Sequence, residues 1–293
     1  MAIKVVGRAL NGTQGIDNFT ARSSSDHYRM TVDQNVLDTI DAGRGTDTLS
    51  YQTADRGVVV TMAAPGETGT TTAEFRTVHF VNPTTGNVYD RFETQTVTHF
   101  KNIENVRGSE FDDKITGNAA KNKIEGLGGD DEIHGGGGND TIIGERGADN
   151  LWGGTGADTF VYKHFTDSAL IQVVSSQFQS DLPFDASLGV DVIHDFEPGV
   201  DKIDLSAIDA NSQRSGNQAF KFVESPNGVD PATFSGTPGE LIVTPVSIAP
   251  TEDTPGGFLF GILADIDGDA IWDFQITLVA TSLDPITAND FLL

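Results

Sequence analysis

From residue 108 to residue 161 an apolar side chain returns at every ninth position, as Ile115, Ile124, Ile133, Ile142, Leu151 and Phe160. Glycine and small polar residues fill the intervals, giving six back-to-back nonapeptides: GSEFDDKIT, GNAAKNKIE, GLGGDDEIH, GGGGNDTII, GERGADNLW and GGTGADTFV. Each opens on glycine and carries Asp, or Asn in one copy, at its sixth position. Glycine-rich hexapeptides reverse the chain through φ > 0 conformations closed to other residues, and the three residues that follow form a short strand with one side chain facing inward. Two nonapeptides make one turn of a coil, so loops on the same side recur every 18 residues. Asp113, Asp131 and Asp149 then stack along one edge, and Asn122, Asp140 and Asp158 along the other. A flexible linker is the ordinary reading of a Gly/Asp-rich tract. A linker has no reason to place a large apolar residue at every ninth position through six copies.

Looser copies lie upstream: GTQGIDNFT at 12–20, DQNVLDTID at 33–41 and AGRGTDTLS at 42–50, with Asp17, Asp38 and Asp47 at the sixth position. Asp38 and Asp47 fall on opposite edges of a coil and read as half-sites. Elsewhere GVVVTM (57–62), FRTVHFV (75–81), TQTVTHFKNIENV (94–106), AFKFVE (219–224), ELIVTPV (240–246), FLFGILA (258–264) and FQITLVA (274–280) have strand composition bounded by turn residues. No segment sustains an amphipathic helical period, and residues 165–187 read as an insertion. The expected fold is all-β, a right-handed parallel β-roll flanked by an N-terminal β region and a C-terminal β-sandwich cap. The boundaries fall at 1–107, 108–161 and 162–293.

The stacked carboxylates define the chemistry. Left bare they repel one another, and a hard cation between successive loops removes the repulsion. Flanking Asp side chains and backbone carbonyls of Gly126, Gly128, Gly135, Gly137, Gly144 and Gly153 supply the oxygen ligands that calcium prefers. Counting the gaps between stacked loops gives about four inter-loop sites, weakest beside the neutral Asn122. A net charge of −25 argues against nucleic acid or an anionic membrane surface as partner and for divalent cations. No cysteine is present, so neither a disulfide nor a thiolate metal site staples the fold. No stretch approaches the ~20 apolar residues of a membrane span, and MAIKVVGRALNG lacks a signal-peptide core or cleavage motif.

The nonapeptides resemble the calcium-binding repeats of RTX (hemolysin-type) proteins. Residues 189–210 (GVDVIHDFEPGVDKIDLSAIDA) and 261–293 resemble the C-terminal module that follows the roll in serralysins, ending here in Asp290, Phe291, Leu292 and Leu293. The resemblance implies an extracellular protein exported by type I (ABC) machinery through an uncleaved C-terminal signal. Within that tail, DIDGDAIWD sets Asp265, Asp267, Asp269 and Asp273 at the spacing of the calcium loops of FG-GAP repeats, although Ala270 stands where those loops usually have glycine. An EF-hand is excluded, because its twelfth position is Ile276. Asp191, Asp195 and Asp201 are candidates to continue the stacked edges.

The zinc protease domain of serralysins has no counterpart here. The six histidines are dispersed with none paired at i+4, and only His79 and His99 are placed to meet across strands. No catalytic residue is assigned. The expected protein is therefore a non-catalytic extracellular structural or adhesive component, associating with itself or with acidic polysaccharide through calcium. The alternatives are a glycan-binding accessory module, or an export and folding module related to a serralysin or an alginate epimerase.

Overall fold

One inward side chain per strand can build a core only if every strand lies beside its counterpart a full coil away, and the eighth-position residues do this. In one sheet Leu49, Val106, Ile124, Ile142, Phe160, Ile203 and Phe291 form a continuous ladder. In the other the ladder is Val60, Ile115, Ile133, Leu151, Ile193 and Leu278. None of these side chains is more than 5% exposed. Both ladders belong to a single hydrophobic core, so the two sheets face each other across it.

A computed structural model describes residues 3–4, 9–11, 18–20, 27–29, 37–81, 88–168, 190–224, 233–246, 258–282 and 284–293. These form one sheet of 14 strands and one of nine. The all-β parallel roll matches the expectation from sequence. Its flanking regions are built on the same two sheets. Upstream, Asn18–Thr20 and Asp38–Asp41 join one sheet, while His27–Arg29 and Thr48–Ser50 join the other, all in parallel. Gly69–Val81 and Val88–Lys101 leave the coil as a long antiparallel hairpin and return between Asp38–Asp41 and Val58–Thr61. Buried Tyr51 fixes the hairpin's base, its hydroxyl 2.8 Å from the Oγ1 atoms of both Thr71 and Thr98. In this hairpin His79 lies opposite Asp90 and His99 opposite Thr70, so the two histidines do not pair across strands.

Downstream, Val192–Phe196 and Lys202–Asp204 add the next parallel turn. Phe274–Ala280 follows in parallel, then Phe258–Asp265 and Glu240–Val246 in antiparallel order. Lys221–Val223 pairs in parallel with Glu240–Val246, so in the expected cap region the roll's larger sheet continues as a mixed parallel and antiparallel extension. A sheet edge presents unpaired backbone groups, and each added strand satisfies the one before it. Phe291–Leu292 closes the smaller sheet against Lys202–Asp204. Asp290 is buried there, its Oδ1 accepting from Gly199 N at 2.8 Å and its Oδ2 from Thr287 N at 2.7 Å. Asp17 and residues 169–189, most of the expected insertion, lie outside the described residues.

Ile142→Ala removes fully buried core between Ile124 and Phe160 of the ladder. It should cost ~2–5 kcal/mol, read as a lower urea midpoint with an unchanged slope at saturating calcium.

Candidate metal centre: two stacked carboxylate edges

The sixth-position residues are held in line by one repeated hydrogen bond. The backbone N–H of each donates to the Oδ1 of its counterpart on the next coil: Asp113 to Asp131 at 2.8 Å, Asp131 to Asp149 at 2.9 Å, Asn122 to Asp140 and Asp140 to Asp158 at 2.7 Å. Asp149 donates to Asp191 and Asp158 to Asp201, each at 2.9 Å, so both edges continue past the repeats. Asp195 stands outside this series, its two oxygens accepting from Gly153 N and Gly154 N. All the stacked carboxylates are buried.

The second oxygen divides the series in two. In Asp131, Asp140, Asp149, Asp158 and Asp191, Oδ2 is buried and has no hydrogen-bond partner among the described residues. In Asp113 it accepts from Ser109 N at 2.6 Å, and in Asp201 from Glu197 N at 2.8 Å. Asn122 likewise turns its Oδ1 to Asn118 N at 2.9 Å, while its Nδ2 donates to Glu104 O. The local cause is the fourth residue of the loop. Gly129, Gly138, Gly147 and Gly156 all hold φ between 105° and 145°, which a side chain rarely tolerates. Phe111 and Ala120 stand at that place in the loops of Asp113 and Asn122, which contain no positive φ and fold their own N–H groups onto the acceptor.

The first glycine of each loop opens the space into which the unpartnered oxygen points. A Cβ on Gly135 would lie 2.6 Å from both Asp140 Oδ2 and Gly153 O. One on Gly126 would strike Asp131 Oδ2 and lie 2.8 Å from Gly144 O, and one on Gly153 would lie 2.5 Å from Asp158 Oδ2. Carboxylate and carbonyl oxygens from adjacent coils therefore converge on gaps with no donor in them, the donor set of a hard cation. Gly128 and Gly137, the third-position glycines, donate their N–H groups to Ser109 O and Asn118 O.

Burial shows in the acidities. Asp131 is pushed up to about 9, by burial and then by the Asp149 charge, and Asp140 to about 6, again chiefly by burial. Asp149 and Asp158 shift upward for the same first reason.

Two further groups complete the inventory. Asp47 is buried on the edge of Asn122, its N–H donating to Glu104 Oε2 at 2.8 Å. Sequence reading missed Glu104, although it lies 18 residues before Asn122 with Val106 at its eighth position. Asp38 is buried on the other sheet and lies opposite Thr98 of the hairpin. In the C-terminal loop, carboxylate oxygens of Asp265, Asp267 and Asp269 lie within 4.8 Å of one another. Asp273 turns instead to Ile266 N at 2.7 Å. The turn has positive φ at Gly268, 81°, and again at Ala270, 67°, where the side chain costs roughly 1 kcal/mol.

This fold and these edges define a calcium-binding parallel β-roll. Residues 38–51, 102–133 and 125–160 match the RTX calcium-binding nonapeptide repeat in four copies, and these stretches are repeats of that family. No curated protein matches the chain. Among solved structures, it is similar to the AlgE6R3 and AlgE6R2 subunits of the mannuronan C5-epimerase of Azotobacter vinelandii. For the first, identity is 22% and TM-score 0.39, over 62% of this chain and 78% of that one. For the second, identity is 26% and TM-score 0.41, over 64% and 90%. The extracellular lipase LipA of Serratia marcescens aligns at 15% identity and TM-score 0.32, over 100% of this chain and 40% of the lipase. Among the described residues no helix is long and apolar enough to cross a membrane.

Gly135→Ala and Asp140→Asn should each raise the calcium midpoint of folding roughly tenfold, and Asp113→Asn less than about threefold. Paired calcium titrations of the three variants test the division. Acidity acts in the opposite sense with and without the ion. Folded carboxylates raised above the ordinary 3.8 keep protons that the unfolded chain has released. Calcium-free stability therefore falls as pH rises from about 4 toward about 9. In chelator the β signal in circular dichroism should be larger near pH ~5 than near pH ~8, and calcium affinity should weaken on the same acidification.

Proposed function

We propose that the protein is a secreted calcium-binding RTX protein that folds on calcium after type I export and then serves as a non-catalytic structural or adhesive component outside the cell. The observation that carries the reading is the row of buried, unpartnered Oδ2 atoms on Asp131, Asp140, Asp149 and Asp158. Leaving a buried charge uncompensated costs several kcal/mol, so the folded roll needs its cations. With the ~10⁻⁴ M affinity of extracellular calcium modules, ~1 mM calcium adds about 1.4 kcal/mol per site, roughly 6 over four sites. That is comparable to the whole stability of an ordinary domain, ~5–15 kcal/mol. At submicromolar calcium the contribution vanishes and the chain stays threadable. The serralysin-like tail suits this order of events. Asp290 and Phe291 are buried in the folded roll, so an export signal there is accessible before folding.

For the extracellular role, the charge of −25 supports calcium bridging between molecules or to acidic polysaccharide. An accessory glycan-binding role is favoured by one feature, the half-buried stack of His134, Trp152 and His194 on the outer face of the larger sheet, with ring centroids 4.2 and 4.1 Å apart.

The experiment is a calcium titration of chelator-stripped protein followed together by far-UV circular dichroism and light scattering. A cooperative coil-to-β transition with rising scattering is expected. The transition without scattering would point to a monomeric binder and make glycan retention the next assay. A fully folded roll in chelator would overturn calcium-gated folding.

A further inference from the structure

Exposed acids such as Glu110, Asp112 and Asp130 stand on the loops of the coil. The outer face of the larger sheet is built differently. Alternation along each strand turns outward the neighbours of the inward ladder of Val60, Ile115, Ile133 and Leu151, and strand register lines them up in two rows. One row runs Thr70, Thr61, Thr116, His134, Trp152 and His194. The other runs Thr72, Val59, Lys114, Glu132 and Asn150. Every one of these residues is half-buried or exposed. The first row holds no carboxylate, lysine or arginine, and in the second the two charges, Lys114 and Glu132, pair with each other. With neutral histidines the two rows carry no net charge, in a chain of −25.

One line, drawn parallel to the strands between Lys114–Thr116 and Glu132–Gly137, divides both rows. Three rings, His134, Trp152 and His194, lie to one side of it and the three smaller Thr116, Thr61 and Thr70 to the other. Lys114 and Glu132 stand next to the line, one on each side. A half-turn about that line lays the rings of one copy over the threonines of another and sets Lys114 against Glu132. This is the self-complementarity of a two-fold contact, in which each residue meets the partner of its counterpart. The rings are stacked 4.2 and 4.1 Å apart with their faces closed on one another, so a partner meets a rigid ridge of ring edges.

We propose that a second copy of this chain docks on this face, larger sheet against larger sheet, about a two-fold axis between Lys114 and Glu132. The inference rests on the structural or adhesive reading above and moves the contact from calcium between acidic edges to a face without net charge. Copies of charge −25 repel through their acidic loops, and this face lets them approach with least repulsion. Six strands ~4.8 Å apart make a face about 24 Å long, a contact of the small, reversible class. Calcium acts here by building the face, because both rows exist only when the coils are in register. Once the roll is folded, further calcium leaves the contact unchanged.

The test is sedimentation velocity of full-length protein in saturating calcium, over a concentration series reaching ~100 μM. Wild type should show a reversible monomer–dimer equilibrium. Lys114→Glu and Glu132→Lys should each weaken it at least tenfold, and an equimolar mixture of the two variants should recover it. A general charge effect gives a different pattern, since Glu132→Lys lowers the net negative charge and would then strengthen association. Both side chains are partly exposed, so circular dichroism should show wild-type folding in each variant. If either fails to fold, Trp152→Ala and Thr61→Glu replace the pair, each expected to weaken the dimer. A wild-type monomer at every concentration would overturn the inference, and a folded monomer retained by a glycan would give the face to that partner. A dimer that ignores all these substitutions and grows with calcium beyond the folding transition would overturn this contact while leaving the adhesive reading standing. A chain that stays unfolded in calcium would overturn the roll reading itself, and this contact with it.

Discussion

Carboxylates buried in line, one per coil, are the constraint to which the rest of the structure answers. Parallel strands lie ~4.8 Å apart, so each loop brings its Asp within a few ångströms of the next. The Oδ1 ladder fixes them at that spacing. Among the described residues the second oxygen of the glycine-rich loops has no hydrogen-bond partner. A core of one side chain per strand is too thin to overcome both that repulsion and the ordering of so many glycines, each costing roughly 0.5–1 kcal/mol relative to alanine. Fold and ion are in this sense one equilibrium, and the environment's calcium sets its position.

The loops divide the work. Those with glycine at the fourth place turn their N–H groups away and present a bare oxygen. Those of Asp113, Asn122, Asp167 and Asp201 turn N–H groups inward and satisfy it. On the edge of Asn122, Asp140, Asp158 and Asp201 the second kind stand at both ends of the first. Continuity of both sheets follows from the same economy of backbone pairing. The N-terminal turns, the hairpin of Gly69–Val81 and Val88–Lys101, and the C-terminal strands each extend an edge that would otherwise be open.

Much of this was legible from residues 108–161. The eighth-position residues all became core, and the 18-residue recurrence of Asp131, Asp149 and Asp140, Asp158 became the two edges. Strand composition also located Val58–Thr61, Glu240–Val246 and Phe274–Ala280. What escaped was whatever broke the period. Glu104 has the right place but not the right residue, and Tyr162 replaces the glycine that would have announced another loop. Asp191 lies 42 residues from Asp149, so spacing alone gives no register between them.

By itself the sequence determined that the chain coils, which side chains face inward and that acids line both edges, because a strict nine-residue period repeats the same local conformation and needs no distant contact. The tertiary structure decided which acids are left bare, since that depends on where each loop's N–H groups point and on what the neighbouring coil offers. It also decided that the flanking regions continue the same two sheets, because pairing between segments far apart in sequence is settled by edges left to satisfy and by packing, neither of which a local pattern encodes.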